Sequence, residues 1–184
     1  MADDFSRLVS LACHDLRTPL ATIQGFAKTM LRNDDLGDPH ARYLTIIDAA
    51  GDELAQLLDV LSVAARIEGG HYDPVLREVD SLELARAAVP AATGEGATVE
   101  VDVAAVERSL AALVRAASRH GGVEVSASVA GAEVSIIPVV SGAAPIVLGD
   151  DPKDLGAAVA VRIVRALGGE VAIDGDRLVV KLPG

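Results

Sequence analysis

Leu11-Ala12-Cys13-His14-Asp15-Leu16-Arg17-Thr18-Pro19-Leu20 sits inside a run, residues 4–33, where Leu8, Leu11, Leu16, Leu20, Ile23, Ala27 and Met30 recur at steps of three to five. That recurrence predicts one long helix with only Pro19 and Gly25 as interior interruptions. Pro19 cannot donate a helical hydrogen bond, so a bend is expected just past the quoted segment. Leu16, Leu20 and Ile23 are expected on one side, while His14, Arg17 and Thr18, at i, i+3 and i+4, share another. An imidazole, a guanidinium and a hydroxyl thus converge. The adjacent Asp15 could hold one ring nitrogen of His14 protonated so that the other attacks phosphorus, and Arg17 could neutralise an incoming phosphoryl group. Spacing alone still favours a solvated surface histidine.

Downstream, Asn33-Asp34-Asp35-Leu36-Gly37-Asp38-Pro39 clusters turn formers, with Asp38 placed to cap a second helix that has Pro39 at its first position. From residue 40 to 68, Ile47, Leu54 and Leu61 form one seven-residue ladder and Ala50, Leu57 and Ala64 another, and Gly69-Gly70 ends the pattern. The ladders predict a seam of the kind that coiled coils and four-helix bundles need, on a helix returning antiparallel to the first. Two rods of about 40 Å, at 1.5 Å per residue, cannot enclose a core by themselves. Periodicity leaves two solutions open: a homodimeric four-helix bundle, or packing on the rest of the same chain.

Beyond residue 72 the pattern changes. Short β-branched runs at 97–101, 123–129, 134–140, 171–173 and 178–182 predict strands, and 81–89, 103–120 and 155–167 predict helices, two of them ending at Gly121-Gly122 and Gly168-Gly169. Asp174-Gly175 marks a hairpin turn between the last two strands. The fold class expected is α+β: a helical hairpin over residues 1–72, then a small α/β sandwich over 73–184.

Composition excludes several functions. The 184 residues carry 16 Lys+Arg against 27 Asp+Glu, a net charge of −11, which leaves no basic surface for nucleic acid. With no Trp, two Phe and two Tyr, no aromatic platform for bases or sugars is expected. Cys13 is the single cysteine, and four scattered histidines have no metal-ligand spacing, so neither an internal disulfide nor a structural metal is expected. No apolar run approaches the roughly 20 residues of a membrane span, and the acidic start Met1-Ala2-Asp3-Asp4-Phe5 lacks the features of a secretory signal. A cytoplasmic location with no membrane partner is expected. His40, His71 and His120 read as surface residues.

The string His14-Asp15-Leu16-Arg17-Thr18-Pro19-Leu20 resembles the phosphoacceptor box of the sensor histidine kinases at every position, and residues 4–70 resemble that family's dimerisation and histidine-phosphotransfer domain. The resemblance implies a homodimeric four-helix bundle. It further implies that His14 is phosphorylated, that Asp15 is its acid/base neighbour, and that Thr18 stands where the family orients water for dephosphorylating a partner.

Residues 73–184 look like a worn copy of the family's Bergerat-type ATP-binding domain. The helix from Asp102 to His120 resembles the asparagine-box helix, yet Ala112 and Ala116 stand where the family has asparagines, the second of them its magnesium ligand. Leu155 to Gly169 resembles the helix after the second glycine box, with Asp154 in place of its first glycine and only Gly156 kept from the phosphate cradle. No Asp-x-Gly-x-Gly box follows the strand at 134–140, and the short segment before residue 155 leaves no room for a lid. Gly149-Asp150-Asp151-Pro152 makes that segment acidic, which is unfavourable beside a triphosphate. Without its metal ligand and adenine carboxylate, phosphoryl transfer from ATP loses orientation and charge neutralisation.

Four functions compete. The first is a histidine phosphotransferase that exchanges a phosphoryl group between His14 and response-regulator receiver aspartates, with no cofactor of its own and magnesium supplied by the receiver. Leu11, Ala12, Leu61 and Ala65 would be docking contacts. The second is a divergent kinase core that still loads His14 from ATP and magnesium. The third is a non-catalytic dimeric adaptor, and the fourth a response-regulator phosphatase acting through Thr18.

Overall fold

The computed structural model describes residues 2–32, 38–151 and 153–183, and for residues 2–8, 10–12, 15, 38 and 39 the backbone alone. The chain divides into two compact units, Met1–His71 and Tyr72–Gly184. The turn expected at 33–37 lies outside the described residues, as does the side chain of the expected cap, Asp38.

The first unit is a hairpin of α1 (Ala2–Leu31) and α2 (Asp38–Glu68). Pro19 lies within α1 without ending it. Cys13, Leu20 and Ala27 of α1 are buried, as are Leu44, Gly51, Leu58 and Ala65 of α2, each set at seven-residue steps. The two ladders read from the sequence lie outside this intra-hairpin seam. Ile47, Leu54, Leu57 and Leu61 stay exposed, and on α1 Leu16 and Ile23, both 53% exposed, part company with buried Leu20. The cause is that α2 carries apolar residues in several seven-residue registers, and small residues decide which of them lets two helices come close. At Gly51 a Cβ would lie 2.7 Å from Gln24 Cγ, so any larger residue there would have to displace the Gln24 side chain. The hairpin ends in a Schellman motif: the His71 N–H donates to the Arg66 carbonyl at 2.8 Å and the Gly70 N–H to that of Ile67 at 3.0 Å, with Gly70 left-handed at φ +69°.

The second unit comprises β1 (Arg77–Asp80), α3 (Ser81–Ala88), β2 (Thr93–Gly96), β3 (Thr98–Val101), α4 (Val103–Gly121), β4 (Ser126–Gly131), β5 (Glu133–Ile137), α5 (Ala144–Val147), α6 (Leu155–Ala166), β6 (Glu170–Asp174) and β7 (Arg177–Lys181). Strands β1 and β3 pair antiparallel, and the other five form a mixed sheet in the order β2-β4-β5-β7-β6, in which only β2 and β4 run parallel. Period-two burial orients the sheet: Ala127 and Val129 point inward while Ser126, Ser128 and Ala130 face solvent. Leu84 of α3, Leu110 and Leu113 of α4 and Val161 and Val164 of α6 meet Val129, Ile136, Leu178 and Val180 in one core. Helices cover one face, giving a two-layer sandwich. Strands β1 and β2 and the short α5 had no sequence expectation. Thr93-Gly94-Glu95-Gly96 has poor strand propensity and forms a strand because Gly94, at φ +121°, lies against β4, where a Cβ would come within 2.0 Å of the Val129 carbonyl oxygen. Buried Ser81 ties this region together, donating to the Gly131 carbonyl at 2.6 Å and accepting the Ala97 N–H at 3.0 Å. No described helix is long and apolar enough to cross a membrane.

Candidate phospho-acceptor site

Helix geometry sorts the side chains of α1 into three stripes. At about 100° per residue, the seam of Cys13, Leu20 and Ala27 runs down the middle. On one flank lie Leu16, Ile23 and Met30, exposed and apolar. On the other lie His14, Arg17, Thr18, Ala21 and Thr22, which line one open hollow of about 570 Å³. The hollow therefore exists because the seam claims Cys13 and Leu20, leaving the flank beyond them to polar groups.

His14 and Thr18 are exposed in this hollow, so both are accessible to a partner. Arg17 lines it too, but its guanidinium also reaches across the hairpin: Nη2 donates to Asp59 Oδ1 of α2 at 2.7 Å. The bond opens a polar ladder along the same side. Gln24 Nε2 donates to Asp52 Oδ1 at 2.7 Å, and Lys28 Nζ lies 3.5 Å from Asp48 Oδ1 and 3.8 Å from Asp52 Oδ1. Thr22 Oγ1 donates back to the Thr18 carbonyl at 3.1 Å, which orders the turn after His14. The structure thus gathers His14, Arg17 and Thr18 around one hollow, while the side chain of Asp15 lies outside the described residues. Sequence reasoning missed Asp59. The available signal was a matched spacing, Arg17 and Gln24 seven apart on α1 against Asp52 and Asp59 seven apart on α2.

In the second unit, Ala112 and Ala116 are buried on α4. A Cβ on Gly156 would lie 3.5 Å from that of Ala112, so α4 and α6 pack closely there. Asp154 caps α6, Oδ1 accepting the Ala157 N–H at 3.0 Å. Its Oδ2 lies 3.3 Å from His120 Nε2 and 3.9 Å from Arg119 Nη1, both on α4. His120 is consequently a partly buried bridge between two helices and not the surface residue expected. No cluster of His, Cys, Asp and Glu able to hold a metal ion occurs among the described residues.

With an exposed histidine, a guanidinium and a hydroxyl on one flank of a helical hairpin, residues 6–70 match the model of the His Kinase A (phospho-acceptor) domain. Over these residues the chain is similar to the phospho-acceptor domain of histidine kinases. Over 79 residues the chain is 33% identical to the sensor protein kinase PmrB of Pseudomonas aeruginosa, an overlap covering 43% of this chain and 16% of PmrB. The chain thus spans a small part of that relative's length. Two solved histidine kinase structures share the fold. Full-length ShkA, crystallised in complex with AMPPNP, superposes with a TM-score of 0.66 at 21% identity, over 95% of this chain and 44% of ShkA. The Acinetobacter baumannii histidine kinase AdeS gives 0.54 at 19% identity, over 92% of this chain and 97% of that one. The residues matched by the phospho-acceptor model span the hairpin of α1 and α2.

Proposed function

We propose that this chain is a histidine phosphotransferase that acts as a homodimer between response-regulator receiver domains and does not use ATP. In the transfer step an imidazole nitrogen of His14 attacks the phosphorus of a receiver aspartyl phosphate. The N–P bond forms as the acyl P–O bond breaks, the aspartate leaves as a carboxylate, and the reverse step loads a second receiver. Asp15 is the acid/base neighbour of the imidazole, Arg17 offsets phosphoryl charge, and the receiver brings its own magnesium.

The observation that carries the ATP-free reading is Asp154. Its carboxylate accepts the Ala157 N–H at the first turn of α6, the helix whose amino end the family resemblance assigns to nucleotide phosphate. The carboxylate occupies a first-turn N–H that a phosphate would use, and its charge, offset in part by Arg119, opposes a triphosphate. Buried Ala112 and Ala116 supply no oxygen for magnesium. The homodimer is supported by the exposed stripe of Leu16, Ile23, Met30, Ile47, Leu54 and Leu61, which would close into a four-helix core against a second copy.

The test is intact-mass and acid-lability analysis beside the His14→Ala variant, with ATP and magnesium in one arm and a phosphorylated receiver domain in the other. Acid-labile phosphate on His14 from the receiver only is the expected result. Phosphate from ATP alone would make the chain a divergent kinase. The exposure of Thr18 in the same hollow favours one second reading, receiver dephosphorylation, which Thr18→Ala would remove while His14→Ala spared it.

A further inference from the structure

The Arg17 guanidinium lines the hollow that holds His14, and it also makes a short contact with a carboxylate on the opposite helix. The pair is part-exposed, with side-chain accessibilities of 42% for Arg17 and 61% for Asp59. An ion pair of that exposure contributes little to stability. It nevertheless restricts one of the longest and most flexible side chains, and a guanidinium presents five N–H donors in a rigid fork. The Nη2 bond to Asp59 uses one of them. Among the described residues no further hydrogen bond of the guanidinium competes with a second anion, and the side chain is spared the entropy of being ordered when that anion arrives. The next rungs of the ladder, Gln24 to Asp52 and Lys28 to Asp48, hold the register that keeps Asp59 opposite Arg17.

We infer that Asp59 is a positioning residue for phosphoryl transfer: it holds the Arg17 guanidinium at the rim of the hollow, where the fork's other donors meet the phosphoryl group joining His14. Asp59 touches neither the imidazole nor the phosphorus in this scheme and acts only through Arg17. The inference rests on His14 being the phosphoryl acceptor.

Phosphoramidate tests it without any partner or nucleotide. A ring nitrogen of His14 attacks phosphorus, the P–N bond of phosphoramidate breaks, and the amine, already protonated, leaves as ammonia. The rate of acid-labile phosphate gain is measured on the full chain carrying Asp59→Ala, Arg17→Ala or both, with melting temperature and sedimentation recorded for each variant. Arg17→Ala is expected to slow loading by roughly ten-fold or more, the scale of a lost hydrogen bond to a charged group, and Asp59→Ala by about three-fold, the scale of an exposed pair. The double variant should be no slower than Arg17→Ala alone, because the effect of Asp59 passes through the guanidinium. Asp59→Glu should restore part of the loss, and added salt should shrink the difference between wild type and Asp59→Ala. A purely structural role for Asp59 would instead lower the melting temperature and slow loading additively in the Arg17→Ala background, and that outcome overturns the inference. An unchanged or faster rate in Asp59→Ala overturns it too. If wild-type His14 gains no phosphate, the reading of His14 as acceptor fails and the inference with it, whereas normal loading that ignores Asp59 sinks the inference alone.

Discussion

Leu84, Leu110, Leu113, Ile136 and Leu178 are fully buried in the second unit, while Ile23, Phe26, Tyr43, Ile46 and Leu54 of the hairpin stand exposed. Both regions are rich in Leu, Ile, Val and Ala, so composition does not separate them. Geometry does. A sheet with helices on one face closes a core within one chain, whereas two antiparallel rods bury only the narrow stripe between them. A row of exposed apolar side chains such as the hairpin's is the kind of surface an interface would cover. In the proposed function the same two helices would serve both purposes, one flank closing on a second copy and the other staying open for phosphoryl transfer.

The sharpest way to break this contrast is to charge the hairpin's open stripe. Ile47→Glu combined with Leu54→Glu should convert a dimer to monomers, raising the dissociation constant at least about a thousand-fold, since an unpaired charge in a core costs several kcal/mol. Sedimentation velocity would read the change, and near-wild-type mass would show that the stripe is not the interface. The complementary change lies in the closed core. Leu113→Ala should destabilise the second unit by about 2–5 kcal/mol in denaturant unfolding while leaving the association state untouched. Equal loss of both would mean that the units do not fold independently. The smallest effect is expected at the α6 cap: Asp154→Ala removes the acceptor for the Ala157 N–H and the partner of His120, and should cost about 1 kcal/mol. Titration of that variant with ATP and magnesium sharpens the comparison further. Heat of binding absent in wild type but present in the variant would identify the carboxylate as what keeps nucleotide out.

Much of this was legible in the chain. Apolar recurrence marked both long helices, Gly69-Gly70 marked the end of the second, and β-branched runs marked five strands near their observed places. The phosphoacceptor string placed His14, Arg17 and Thr18 on one flank, where the structure has them. The seam inside the hairpin was not legible, because Gly51 interrupts the series Leu44, Leu58 and Ala65, while the larger Ile47, Leu54 and Leu61 dominate the pattern. Strand β2 was hidden for a related reason, since Gly94 is there to let backbone approach backbone and has no side chain to signal a strand. His120 read as a surface residue because its partner, Asp154, lies 34 positions away.

The amino-acid sequence by itself determined the local features: where helices run and stop, which face carries the imidazole, and that Ala112 and Ala116 of α4 carry no oxygen in their side chains. These depend on spacing and residue type within a few turns of chain, where period and capping act directly. Tertiary structure alone decided which of several seven-residue registers became the seam, that Arg17 meets Asp59 across 42 positions, and that the Asp154 carboxylate closes the start of α6 against His120. Those outcomes follow from how closely two surfaces can approach. Closeness is set by the smallest residues on both sides at once, a property of the pair that neither segment carries alone.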